Sequence, residues 1–186
     1  MQFSIVELVA VGLALAGGLT PMVGAAARRL GWVDRPDVRK IHTEPTPHGG
    51  GLAVFVAIAA GLVGVVGTDP RVRVILMGGA VATLLGLVDD RLDLPSRYRL
   101  AAQSLIAVTL ASLGVRAAIT GVALVDIVLA TLWLVGAMNA WNCLDCADGA
   151  AAGSGVIGCF VLGVLAAHFR RDYIAAAAFL SAGACA

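Results

Sequence analysis

Val74-Ile-Leu-Met-Gly-Gly-Ala-Val-Ala-Thr-Leu-Leu-Gly-Leu-Val88 leads straight into Asp89-Asp90-Arg91-Leu92-Asp93-Leu94-Pro95, and from Leu100 the chain is apolar again. With its flank from Val72, the first run is about as long as the shortest helix that crosses a bilayer. It ends abruptly in three carboxylates. Acids placed where an apolar helix leaves the bilayer are costly to keep there without a partner. Adjacent carboxylates repel each other, so the cluster calls for a cation. Hard oxygen ligands suit Mg²⁺, which usually takes one or two carboxylates together with substrate phosphates.

The whole chain resembles this stretch. Of its 186 residues 60% are hydrophobic and 13% charged, against about 45–50% and about 25% in a soluble globular domain. That excess of apolar surface cannot be hidden in one water-facing domain. Runs long enough to span fall at 5–27, 50–67, 72–88, 99–115, 123–142, 154–169 and 172–186. They predict an all-α fold, a polytopic integral membrane helix bundle of about seven transmembrane helices, forming one transmembrane domain over 1–186. The first run carries Glu7 where a signal peptide has positive charge, and another span follows it, so it reads as a retained helix. Gly17, Gly18 and Pro21 predict a kink in it. The 23 glycines and many alanines suit close helix packing in lipid.

Lys and Arg set the expected orientation. Arg28, Arg29, Arg35, Arg39 and Lys40 lie in loop 28–49; Arg91, Arg97 and Arg99 lie in or beside loop 89–98. Loop 143–153 shares their side. The opposite side holds Arg71, Arg73, Arg116, Arg170 and Arg171. The bias puts the first three loops in the cytoplasm. A net charge of +1 offers no electrostatic case for nucleic acid.

Three short polar stretches therefore share one face. The first reads Val33-Asp-Arg-Pro-Asp-Val-Arg-Lys-Ile-His42 and then Pro45-Thr-Pro-His-Gly-Gly-Gly51. Its prolines oppose helix. Arg39, Lys40 and His42 supply cationic or hydrogen-bonding groups, and a helix starting near Gly50 would aim free N–H groups at an anion. A plain positive anchor loop is the competing account. The second is the acidic stretch. Asp89 and Asp93 would share a helix face, with Asp90 about 100° round; a solvated acidic loop is the competing account. Gln103 in the next span reads as an interhelical hydrogen-bonding residue. The third is Asn139-Ala-Trp-Asn142-Cys-Leu-Asp145-Cys-Ala-Asp148-Gly149. Amides and acids at every third position make a slanting polar stripe, fit for a ligand or ion, or simply for bundle hydrogen bonds.

The four cysteines do not build a disulfide framework. Cys143 and Cys146 form a C-x-x-C without a second pair, so zinc is not expected. Asp126, close to a span end, is expected to reach outward to water. Trp32, Trp133 and Trp141 read as interface or packing aromatics, and His168 as an interface residue. A basic loop beside two acidic clusters is the equipment of metal-assisted phosphoryl chemistry.

Three ordered motifs carry a more specific likeness. Asp34-x-Pro36-x-x-Arg39-Lys40-x-His42-x-x-Pro45-x-Pro47-x-Gly49-Gly50, then Gly86-x-x-Asp89-Asp90-x-x-x-Leu94, then Asn139-x-x-Asn142-x-x-Asp145-x-x-Asp148-Gly149-x-x-x-Gly153 resemble the polyprenyl-phosphate N-acetylhexosamine-1-phosphate transferases. The resemblance implies transfer of N-acetylhexosamine-1-phosphate from a UDP-N-acetylhexosamine to a polyprenyl phosphate, releasing UMP. It implies a multi-pass protein of the inner (plasma) membrane with its active site facing the cytoplasm, and a role in starting cell-wall, lipopolysaccharide or surface-glycan synthesis. It implies Mg²⁺, with Mn²⁺ as substitute, held by Asp89, Asp90 and Asp145. Asp89 and Asp90 would be the catalytic pair. Lys40, Arg39, His42, Asn142, Asp145 and Asp148 would bind substrate, Lys40 at the diphosphate. A homodimer is left open.

The third motif departs from the family's Asp-Gly-x-Asp-Gly-Leu, with Cys146 for the first Gly and Ala150 for the Leu. Both are small, so the acids need not move. The family also carries later spans, a Phe-x-Gly-Asp motif and a His-rich loop. This chain is therefore expected to match only an N-terminal portion and to be weak or inactive alone. The competing readings are an inactive truncated homologue, a membrane prenyltransferase using Asp89-Asp90-x-x-Asp93, and a transporter or structural membrane protein. A CDP-alcohol phosphotransferase fails because Gly153 stands where its signature needs Arg.

Overall fold

Ser4 and Glu7 start the first helix. The Glu7 N–H donates to Ser4 Oγ at 3.2 Å, and the Ser4 N–H donates to Glu7 Oε2 at 2.7 Å. This reciprocal cap satisfies two otherwise open donors and puts an acid at the positive end of the helix dipole. The computed structural model describes residues 3–34, 45–67, 69–144 and 149–186. Seven helices occur among them: α1 (Ile5–Arg29), α2 (Gly50–Val66), α3 (Pro70–Leu92), α4 (Ser96–Ser112), α5 (Ala123–Leu144), α6 (Ala150–His168) and α7 (Asp172–Cys185). Each overlaps one of the apolar runs. A two-stranded antiparallel ladder, β1 (Val33–Asp34) with β2 (Thr46–Pro47), joins α1 to α2.

The helices α1, α3, α5 and α6 are long and apolar enough to cross a membrane. The helices α2 and α7 are apolar but shorter. At 1.5 Å per residue, the 17 residues of α2 or α4 reach about 25 Å, close to the roughly 30 Å hydrocarbon core. Pro21 lies inside α1 without ending it. Membrane helices tolerate such a proline because neighbouring groups satisfy the backbone it leaves open. The chain is an all-α, multi-pass membrane protein.

It divides into two compact units. The first comprises 1–65 and 155–186, the second 66–154. In the first, α7 is the buried helix: Ala175, Ala176, Ala178, Phe179, Leu180, Ala182, Gly183 and Ala184 are all buried. Its small residues let α1 lie against it backbone to backbone. A Cβ added at Gly183 would run into the Val9 carbonyl oxygen and stand 3.0 Å from the Leu13 nitrogen. One added at Gly12 would meet the Leu180 carbonyl oxygen and come within 2.9 Å of the Ala184 nitrogen. Phe179 stacks edge-on against Phe160 of α6 at 5.5 Å between centroids. Ala16, Ala57 and Ala184 close the contact among α1, α2 and α7.

In the second unit α4 lies between α3 and α5. Residues 93–95 turn α3 into α4. At the other end Gly114, with φ 101°, closes α4: the Val115 N–H returns to the Leu110 carbonyl at 2.9 Å and the Gly114 N–H to Ala111 at 3.2 Å. This left-handed cap needs a residue free to take positive φ. The three helices thus alternate in direction. An apolar groove of about 230 Å³, lined by Val74, Met77, Val81, Leu105 and Leu113 among others, runs between α3 and α4.

Candidate active site

The acidic stretch sits at the C-terminal end of α3, which runs past the last apolar residue, Val88, through Asp89 and Asp90 to Leu92. The spacing predicts a helical face shared by Asp89 and Asp93, but the helix ends before Asp93. Asp93 is the C-cap, at φ 48° in the left-handed region, with its N–H donating to the Asp89 carbonyl at 2.8 Å. Pro95 explains the stop, because the residue before a proline is driven out of the helical region. Asp is among the few side chains that accept the left-handed cap.

Asp89 is half-buried and held at both carboxylate oxygens. Its Oδ1 accepts the Leu94 N–H at 3.2 Å, and its Oδ2 lies 3.1 Å from Arg99 Nη1 in the first turn of α4. Asp90 is exposed beside it. One turn beyond Arg99, on the same face of α4, Gln103 is only 6% exposed in an otherwise apolar segment. Its Oε1 accepts Asn139 Nδ2 of α5 at 2.7 Å, and the same amide donates to the Val135 carbonyl at 2.8 Å. A buried amide needs such partners, because hydrocarbon offers none. Asn139 is therefore a bundle-linking residue. Asn142, one turn on, is exposed near the end of α5.

Because α3, α4 and α5 alternate in direction, these contacts bring the C-terminal ends of α3 and α5 to one end of the unit. Asp89, Asp90 and Asn142, separated in sequence by a full pair of helices, share that end. Asp145 and Asp148 lie outside the described residues. So do Arg39, Lys40 and His42. The base of their loop is described: Val33 pairs with Pro47 and Asp34 with Thr46, the His48 N–H donates to the Trp32 carbonyl at 3.2 Å, and the His48 ring lies 6.0 Å from that of Trp32. The ladder brings residues 34 and 46 together ahead of α2, which begins at Gly50.

Among the described residues no three His, Cys, Asp or Glu side chains assemble as a metal site. Cys143, Cys159 and Cys185 are free thiols. The donor set at the end of α3 nevertheless fits Mg²⁺ in kind. Asp89 and Asp90 are neighbouring carboxylates with hard oxygens, and each carboxylate has about four lone-pair positions, so the two bonds to Asp89 leave acceptor capacity.

At the opposite end of the second unit Asp126 corrects its expectation. It does not reach outward; it is 3% exposed. Its Oδ1 accepts the N–H groups of Ile119 and Thr120 at 3.2 and 2.9 Å and the Thr120 hydroxyl at 2.9 Å. An acid in the first turn of α5 ties down the preceding loop because those donors have no helical partner. Periodicity carries no signal for this, nor for the Asp89–Arg99 pair, whose members straddle a turn. The polar interruption of α4 at Arg99 and Gln103, four residues apart, was the available clue.

A family model described as "Glycosyl transferase family 4" matches residues 72–186. The chain is 34% identical over 158 residues to the "Probable undecaprenyl-phosphate N-acetylglucosaminyl 1-phosphate transferase" of Bacillus subtilis (strain 168), covering 80% of this chain and 44% of that protein. It is 32% identical over 190 residues to the "Decaprenyl-phosphate N-acetylglucosaminephosphotransferase" of Mycobacterium leprae, covering 90% and 48%. It is 30% identical over 146 residues to the "Undecaprenyl-phosphate alpha-N-acetylglucosaminyl 1-phosphate transferase" of Thermotoga maritima, covering 78% and 47%. The chain thus spans about half the length of the curated relatives it matches. No solved structure matches it. With the family match covering more than half of the chain, and with these relatives, the chain belongs to glycosyl transferase family 4.

Proposed function

We propose that the protein transfers N-acetylhexosamine-1-phosphate from a UDP-N-acetylhexosamine to a polyprenyl phosphate. An oxygen of the lipid phosphate bonds to the phosphorus next to the sugar. The bond from that phosphorus to the bridging oxygen breaks, and UMP leaves with the electron pair. The observation that carries this reading is the gathering of the acidic pair and Asn142 at one end of α3–α5, in a chain whose relatives are named for this transfer. The charge bias of the loops supports a cytoplasmic site, and the apolar helices beside it suit a membrane-borne acceptor.

Asp89 and Asp90, with Asp145, would hold Mg²⁺, which supplies charge neutralisation for the transferring phosphoryl group. Asp89 is fixed by the Leu94 N–H and Arg99 and so presents its remaining acceptor positions in one direction. Asp90 stands toward solvent at the helix end, where a phosphate can approach. Asn142 offers an amide to the nucleotide. Arg39, Lys40 and His42 supply positive charge for the donor diphosphate, and Asp148 completes the nucleotide side. The prenyltransferase alternative loses support, since Asp93 is a cap and does not line up with Asp89.

The test is release of UMP from UDP-N-acetylglucosamine and undecaprenyl or decaprenyl phosphate, in membranes carrying the product of the complete reading frame. Mg²⁺-dependent UMP release is expected. Asp90→Asn and Asp89→Asn should each lower turnover by on the order of 100-fold or more. Release of inorganic diphosphate in place of UMP, or full turnover by both variants, would overturn the assignment.

A further inference from the structure

We propose that Arg99 is a positioning residue for Asp89, the acid it pairs with across the turn from α3 into α4. The inference rests on the transfer reading above. Asp89 and Asp90 are consecutive, so their charges repel at short range. Asp89 is paired to Arg99, at 3.1 Å. Its second oxygen takes the Leu94 N–H. The two donors come from opposite sides of the turn at Pro95, so the carboxylate is clamped across the corner between α3 and α4. Asp89 is thereby fixed relative to both helices.

The clamp itself is anchored. Arg99 and Gln103 are one turn apart on α4, and Gln103 is buried and bonded to Asn139 of α5. One helix therefore holds the acid of α3 with one side chain and the amide of α5 with the next. A guanidinium suits such a clamp, because it keeps its charge at all accessible pH and its donors are set in a rigid fork.

The role predicts effects of opposite sign. A cation beside Asp89 competes with any divalent ion for the same oxygens. Removing it should tighten ion binding, while the freed carboxylate no longer sits where the reaction needs it. A residue that merely supports the fold would weaken both.

The experiment uses the product of the complete reading frame in detergent, with Mn²⁺ binding followed by electron paramagnetic resonance alongside UMP release. Arg99→Gln is expected to bind Mn²⁺ severalfold more tightly and to release UMP roughly 10- to 100-fold more slowly, with the KM for the UDP-sugar little changed. Arg99→Lys should return Mn²⁺ affinity to that of the parent and recover part of the turnover. In Asp89→Asn the further change Arg99→Gln should no longer tighten Mn²⁺ binding, because the clamped carboxylate is gone. Unchanged or weaker Mn²⁺ binding by Arg99→Gln, or undiminished turnover, overturns the proposal; should Arg99→Gln fail to fold, Arg99→Lys with the parent's ion affinity but no recovered turnover does the same. If the parent protein releases no UMP the transfer reading fails, and the Mn²⁺ measurements still decide the role of Arg99.

Discussion

The two units solve the problem of holding helices together in lipid by different means. The first uses absence of side chains: Gly12 and Gly183 bring α1 and α7 into backbone contact, and alanines fill the rest. The second uses polar side chains: Arg99 with Asp89, Gln103 with Asn139, and Asp126 with its loop. Few of its apolar residues are fully buried: Val72 and Gly78 in α3, Ala107 and Ala111 in α4, and none in α5. Hydrocarbon provides no hydrophobic drive between helices, so packing and hydrogen bonding are what remain. Close packing makes a rigid support and carries no chemistry. Polar links can do both, and the candidate catalytic acids occur where they are used.

Adding one methyl group tests the contrast most severely. Gly183→Ala puts a Cβ on the Val9 carbonyl, and backbone cannot yield cheaply. A loss of about 1–3 kcal/mol or more is expected, read as a fall in the melting temperature of the detergent-solubilised protein. Gly78→Ala makes the matching change in the second unit. There the new Cβ would meet the Cδ2 of Leu110 at 2.6 Å, the tip of a side chain that can rotate, so the cost should stay below about 1 kcal/mol. Equal losses would mean that the units are not packed in the different ways described.

Asp126→Ala falls between these two. It strips the acceptor from the Ile119 and Thr120 N–H groups and the Thr120 hydroxyl, and a donor left without a partner costs more than the bond was worth. The melting temperature should drop less than in Gly183→Ala and more than in Gly78→Ala. Asp126→Asn retains an oxygen at the same position and should recover most of the loss. If Asp126→Ala melts with the parent, the carboxylate does not hold that loop.

What could be read from the sequence follows the same division. Apolar runs located all seven helices, because each helix is a local feature long enough to show its composition. The span predicted at 99–115 begins at Ser96 and ends at Ser112, since Pro95 and Gly114 set the ends and hydropathy does not. The acids at 89–90 and the amides at 139 and 142 were legible as candidates because polar residues at an apolar helix end are rare. Their partners were not. Arg99 counted only as a loop charge until the turn at 93–95 placed it on Asp89. Asp93 looked like the third acid of an Asp-Asp-x-x-Asp face because its spacing is helical, yet the helix ends there. Asp126 looked like an outward acid because its loop donors are invisible to periodicity. The two-residue strands at 33–34 and 46–47 are too short for any alternation to register.

Gln103→Leu is the gentlest test. Leucine has nearly the volume of glutamine and suits an apolar segment, so the substitution leaves helix packing in place and removes only the acceptor for Asn139. Asn139 keeps its bond to the Val135 carbonyl, so one of its donors stays satisfied. Interhelical hydrogen bonds in membrane proteins average about 0.6 kcal/mol, and a loss of that order is expected in stability. The effect on UMP release should be larger than this figure alone implies. Without Gln103 the C-terminal part of α5 loses a polar tie to α4, and Asn142 sits one turn from the broken bond. A turnover decrease of severalfold with little change in melting temperature would tie the polar links of the second unit to the reaction. A change in stability with no change in turnover would make Gln103 a packing residue like those of the first.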